Sequence, residues 1–113
     1  MPSEASLLQG TLDMLVLKSL IWGARHGYGV ARWIGGTTDG VLRIEEGALY
    51  TALHRLERRG YVVSEWGASE NNRRAKYYEL TEDGRSELRA GERAWTRYAE
   101  AVFRVLRAKE AAS

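Results

Sequence analysis

The chain has no cysteine among its 113 residues. That excludes disulfides, thiolate zinc sites and cysteine-based redox sensing together. Histidine is scarce as well: His26 and His54 stand far apart without ligand spacing around either, so neither a metal nor a cofactor is expected. Long hydrophobic runs are missing. The most apolar stretch, Leu12–Trp22, is broken by Asp13 and Lys18 and is too short to span a bilayer. Nothing near the start resembles a secretion signal, so a soluble, cytoplasmic protein with no membrane partner is the expectation. Charge of one sign is also lacking, since 17 Lys and Arg against 15 Asp and Glu leave only +2. Bulk charge therefore does not argue for nucleic acid. No nucleophile–base pair or metal cluster is visible: Asp13, Asp39 and Asp83 occur in separate contexts, and His26-Gly27 reads as a turn. An enzyme is not expected.

What is present is a chain 44% hydrophobic and 28% charged, the balance of one small globular domain. The charge is unevenly spread. Between Arg55 and Lys76 lie six cations (Arg55, Arg58, Arg59, Arg73, Arg74, Lys76) against three acids (Glu57, Glu65, Glu70). This segment opens on a helix pattern, Glu46–Arg59, whose Leu49, Ala52, Leu53 and Leu56 fall on one side. Thr51, His54, Arg55 and Arg58 fall on the other, with Gly47 near the same face. These are donors and a small residue, the groups that reach base edges or admit a phosphate to backbone N–H groups. Tyr50 lies at the edge of the leucine face, where core packing and exposure of its hydroxyl are both open.

Gly60 ends that helix, and Tyr61–Trp66 is rich in β-branched and aromatic residues. Lys76–Leu80 reads as the returning strand, and Asn71-Asn72 suits the turn between them. Arg73, Arg74 and Lys76 make the hairpin tip basic. A recognition helix followed by a phosphate-gripping wing is the arrangement this order predicts.

Around this unit, Leu7–Trp22 is a first helix apolar on nearly all sides, with Leu8, Leu12, Leu15 and Ser19 in one stripe. Burial on two fronts is implied, one of them another subunit. Tyr28–Ile34 is a short second helix ended by Gly35-Gly36, and Val41–Ile44 a short strand. Thr81 caps a last helix that runs to about Lys109, with Glu82 and Asp83 in its first turn. Leu88, Trp95 and Val102 recur every seven residues, with Gly91, Tyr98 and Val105 between them and Ala99 and Leu106 widening the seam. Such a helix packs along a partner helix. Arg85, Arg89, Arg93 and Arg97 are read as surface cations paired with Glu92 and Glu100. Trp22, Trp33 and Trp66 are read as core or strand residues.

Four segments in this order resemble the PadR-like family of transcriptional regulators: LLQGTLDMLVLKSL (Leu7–Leu20), HGYGVARWI (His26–Ile34), EEGALYTALHRLERRGYV (Glu45–Val62) and RRAKYYELTEDGR (Arg73–Arg85). Ala48 and Thr51 depart from the family's pattern, where a hydroxyl residue and a proline are common. The resemblance implies a mainly α fold with a small β hairpin, a winged helix-turn-helix with a long C-terminal dimerisation helix. Residues 1–80 would form the DNA-binding domain and 81–113 the dimerisation helix, packed as one unit with the first helix. It further implies a homodimer that binds double-stranded DNA, usually as a repressor. Near Trp95 it admits a small flat hydrophobic effector between subunits, beside the plainer reading of Trp95 as seam core. A dimeric adaptor whose winged helix binds protein in place of DNA is the alternative.

Overall fold

A computed structural model describes residues 4–110, with side chains from Gly10 onward. The order is α1 (Glu4–Ser19), β1 (Arg25–His26), α2 (Gly27–Thr37), α3 (Glu46–Arg58), β2 (Val62–Ala68), β3 (Arg74–Leu80) and α4 (Glu82–Leu106). The three strands form one antiparallel sheet in the order β1-β3-β2. α1, α2 and α3 enclose a core of Val16, Leu17, Leu20, Val30, Ile34, Leu49, Leu53 and Leu56, closed by Val62, Tyr78 and Leu80 from the sheet and Leu88 from α4. α4, 25 residues long, spans about 37 Å at 1.5 Å per residue. It draws the molecule out to 62 Å along its longest axis. No helix among the described residues is long and apolar enough to cross a membrane.

The junction of α3, the hairpin and α4 is dictated by two glycines and a threonine. α3 ends when Gly60 takes φ +81°, a conformation open to glycine at little cost. The Gly60 N–H then donates to Glu57 O (3.0 Å) and the Tyr61 N–H to Leu56 O (3.0 Å), satisfying carbonyls the helix leaves open. Thr81 joins this end to α4. Its hydroxyl donates to Gly60 O (2.7 Å) and accepts from the Gly84 N–H (3.0 Å), while its own N–H donates to Tyr61 O (3.1 Å). Gly84 is buried against the Tyr61 carbonyl, where no Cβ fits.

Several expectations need correction. α1 stops at Ser19, not Trp22: tighter turns carry Leu20 to Gly23, where φ is +145°. Trp22 is therefore thrown to the surface, 65% exposed, against Trp33 and Lys18. α2 runs through Gly35-Gly36 to Thr37, since glycine only weakens a helix interior. Val41–Ile44 is not a strand. The Thr38 hydroxyl holds that segment as a loop by accepting from the Leu42 N–H (3.0 Å), and the third strand is Arg25–His26. Leu88, assigned to the dimer seam, is 2% exposed in the chain's own core, because the Gly84 contact brings the start of α4 against it. Leu12 and Leu15 also pack partly on that core. The side chain of Leu8 lies outside the described residues. Glu92 pairs with Lys18 of α1 (3.3 Å), not with Arg89, which donates to Ser86.

Candidate nucleic-acid interface

α3 buries Leu49, Ala52, Leu53 and Leu56 and leaves Gly47, Thr51, His54 and Arg58 exposed. The exposed residues are spaced by four, three and four, so they form one outward stripe. Glu45 caps the helix without a side-chain hydrogen bond. Tyr50 lies between the stripe and α2, 43% exposed, with its ring over the α carbon of Gly27. A Cβ at Gly27 would stand 2.8 Å from the Tyr50 hydroxyl, so a larger residue there would make the half-exposed ring swing aside.

Arg55 is not in the stripe. Its guanidinium turns back onto α1 and grips Asp13 with both ends, Nε donating to Oδ2 at 3.1 Å and Nη2 to Oδ1. Both side chains are only 14% exposed. The hydrogen bond to Asp13 holds the guanidinium above its ordinary basicity. The expectation that Arg55 reads bases is thus corrected: a side chain this long, at the flank of the helix, reaches a carboxylate on its neighbour. Its visible role is to clamp α3 to α1. Thr51, His54 and Arg58 remain exposed on the outward face of α3.

The wing is longer than expected, with β2 and β3 paired from Val62↔Leu80 to Ala68↔Arg74. Its turn is tight. The Ser69 N–H donates to Arg73 O (2.7 Å), the Asn72 N–H to Ser69 O (2.8 Å), and Asn72 takes φ +57°. Arg73 and Arg74 are exposed, and Lys76 is half-buried opposite Trp66. Glu57 of α3 fixes the base of the wing by accepting from the Ser64 hydroxyl and lying 3.8 Å from Lys76 Nζ. Beside that carboxylate, burial pushes the Tyr78 phenol above its usual range, with the charge of Glu57 adding to the effect.

Sequence reasoning missed three residues beside this surface. Trp66, expected in the core or a strand, is a strand residue 55% exposed, with the Arg74 guanidinium 4.6 Å from its ring. Tyr28 is 65% exposed and carries Arg32 over its ring at 5.6 Å. The signal for Trp66 was the hairpin register, readable only once the turn is set at Ser69–Arg73. His26, read as a turn residue, caps α2 by accepting at Nδ1 from the Gly29 N–H (3.0 Å). Among the described residues no group of three acids or histidines is placed to hold a metal.

Known proteins share both the pattern and the architecture. The sequence model of the transcriptional regulator PadR-like family matches residues 16–90, which hold α2, α3 and the wing. A transcriptional regulator from Clostridium thermocellum is 30% identical and superposes with a TM-score of 0.79, over 88% of this chain and 96% of its own. A PadR family transcriptional regulator from Eggerthella lenta is 32% identical at a TM-score of 0.74, over 93% and 89%. An uncharacterized protein from Lysinibacillus sphaericus is 26% identical over 99 residues, 88% of this chain and 91% of that protein. A winged helix with a long C-terminal helix, matched in sequence across its helix–wing unit, places the chain in the PadR-like family, whose members regulate transcription and are not enzymes.

Proposed function

We propose that the chain acts in the cytoplasm as a homodimeric, sequence-specific repressor that binds a pseudo-palindromic operator. The observation that carries this reading is the stripe of Gly47, Thr51, His54 and Arg58, exposed on a helix whose neighbouring hairpin presents Arg73, Arg74 and Lys76. The stripe meets base edges and the wing meets phosphates. Residues 1–80 supply this surface and 81–113 the dimer contact. Beyond Leu88, α4 leaves its own core, and Trp95, Tyr98, Ala99, Val102 and Leu106 have at most partial cover. Leu106, 72% exposed, belongs to a face that water does not favour. A second copy of α4, with the outer side of Leu12 and Leu15, is the partner the seam fits. Two-fold symmetry then sets half-sites about one helical turn, or a multiple of it, apart, and occupancy of a promoter blocks transcription. The Trp95 indole is 45% exposed and its N–H donates to Thr11 Oγ1 (3.3 Å), which leaves ring surface for a flat hydrophobic effector between the subunits.

Selection of bound fragments from the host genome, followed by salt titration of operator and random duplex, tests the reading. Thr51→Ala and His54→Ala should lower operator affinity and leave random duplex little changed. Arg73→Ala should weaken both alike and reduce the salt slope by about one. Sedimentation should give a dimer at micromolar concentration. A wild type that retains no genomic fragment at low salt overturns the reading in favour of a protein-binding adaptor.

A further inference from the structure

Between the start of α2 and the wing lies an open cleft of about 720 Å³, bounded by His26–Tyr28 and Arg32 on one side and by Trp66, the wing turn and Arg74 on the other. Its two banks are built alike. On the helix bank, Arg32 lies over the ring of Tyr28, 5.6 Å from the centroid. On the wing bank, Arg74 and Lys76 lie over Trp66 at 4.6 and 6.0 Å. Tyr50 lines the cleft between them and is the chain neighbour of Thr51, so the cleft runs on into the stripe of α3. Lys76 is also paired with Glu57 of α3 at 3.8 Å, and the one carboxylate lining the cleft, Glu70, lies 3.8 Å from His26 Nε2, which leaves Arg32 and Arg74 as the cleft's cations without an acid among the described residues.

The chemistry of these pairs differs from that of ion pairs. Among the described residues neither Arg32 nor Arg74 has a carboxylate within salt-bridge reach. A guanidinium stacked on a ring keeps its charge and its donors free for a phosphate, while the stack restricts its rotamers before binding. Less ordering then remains to be done at the encounter. Cations on two opposed banks of an open channel suit a polyanion passing between them better than a compact anion.

We propose that this cleft seats the phosphodiester backbone of the bound duplex, with Arg32 gripping it from the helix side and Arg74 from the wing. Tyr28 and Trp66 are positioning residues that hold the two guanidinium groups ready. The inference rests on the DNA-binding reading above, in which Arg74 already contacts phosphate, and extends the contact surface to Arg32 and Tyr28 of α2 and to Trp66.

The test uses the full chain with the selected operator and a random duplex, titrated with salt and read by fluorescence polarisation. Arg32→Ala should weaken both duplexes alike, by roughly tenfold, and lower the salt slope by about one. Arg93→Ala, which removes the same charge from the exposed face of α4, should leave the slope in place. Trp66→Ala should weaken binding by about fivefold with the slope kept, because every cation remains, and Trp66→Phe should restore most of the loss. In the free protein, Arg74 side-chain protons should resonate upfield under the indole and return to ordinary shifts in Trp66→Ala. Arg32→Ala binding as tightly as wild type, or Arg93→Ala lowering the slope equally, overturns the cleft and leaves the DNA reading standing. Phe failing to restore affinity, or unshifted Arg74 protons in wild type, overturns the positioning role. Absence of wild-type binding to any genomic fragment removes both readings.

Discussion

Gly84 and Gly91 occupy the same helix, and the structure assigns opposite signs to the same substitution at the two sites. At Gly84 an added Cβ would overlap the carbonyl oxygen of Tyr61 and stand 3.0 Å from its carbonyl carbon and 3.1 Å from Leu80 Cδ2. An unstrained carbon–oxygen contact is about 3.3 Å, so backbone has to move. That backbone carries the Thr81 N–H to Tyr61 O bond, the Thr81 hydroxyl to Gly60 O bond and the Gly84 N–H to Thr81 cap. Overpacking costs about 1–3 kcal/mol, and weakening the cap and its bonds costs about 1 kcal/mol more. Alanine's helix propensity returns about 1 kcal/mol. Gly84→Ala should therefore destabilise by roughly 1–3 kcal/mol. At Gly91 the nearest atoms to an added Cβ are Met14 Cγ and Sδ at 3.8 Å, ordinary contact. Gly91→Ala should stabilise by roughly 0.5–1 kcal/mol. Urea unfolding at one fixed protein concentration measures both, since association would otherwise shift apparent stability. Gly84→Ala proving as stable as Gly91→Ala would refute the close packing of α4 on Tyr61.

Three further outcomes are expected. Asp13→Ala strands the Arg55 guanidinium at 14% exposure and should cost about 3 kcal/mol. A double-mutant cycle with Arg55→Ala should show coupling above 1 kcal/mol, and additive losses would deny the clamp. At protein concentrations that keep the chain folded, Arg55→Ala should retain the operator-to-random preference; its loss would return Arg55 to the reading face. The Tyr78 phenol is raised by burial and by Glu57, so the unfolded chain releases this proton at lower pH than the folded one. That contribution to stability is complete below the unfolded value near 10 and is lost as pH rises toward the folded value. Tyr78→Phe should accordingly flatten the fall in stability as pH rises past about 10, and an unchanged slope would show that Tyr78 is not the group responsible.

The legible parts of this molecule are those written over short stretches of chain. The leucine spacing of α3, the stop at Gly60 and the Thr81 cap follow from residues within one or two turns, and each stands where its pattern places it. Arg55 was misread because its partner lies 42 residues away. A wheel assigns a side chain to a flank but does not say how far a guanidinium will reach across. The clue was Asp13, the one acid in the apolar stretch Leu7–Trp22, which needs a cation when partly buried. β1 escaped for a related reason: two residues have no period, and Arg25 and His26 become a strand only because β3 offers Tyr78 and Tyr77.

The seam of α4 shows a different limit. Leu88, Trp95 and Val102 are equivalent by their spacing of seven, yet Leu88 is sealed in its own chain while Trp95 and Val102 are 45% and 37% exposed. Periodicity reports that a face is apolar; it does not say whose core covers it. That is decided by where the helix departs from the domain. The departure is fixed at the first turn of α4, by Thr81 and by Gly84 lying against Tyr61. From there a helix of 25 residues, about 37 Å long, outruns a molecule only 29 and 26 Å across in its shorter directions. Leu88 falls within reach of that core and the later seam residues pass beyond it. The same sequence pattern therefore serves folding at one end of the helix and, in the reading proposed here, association at the other.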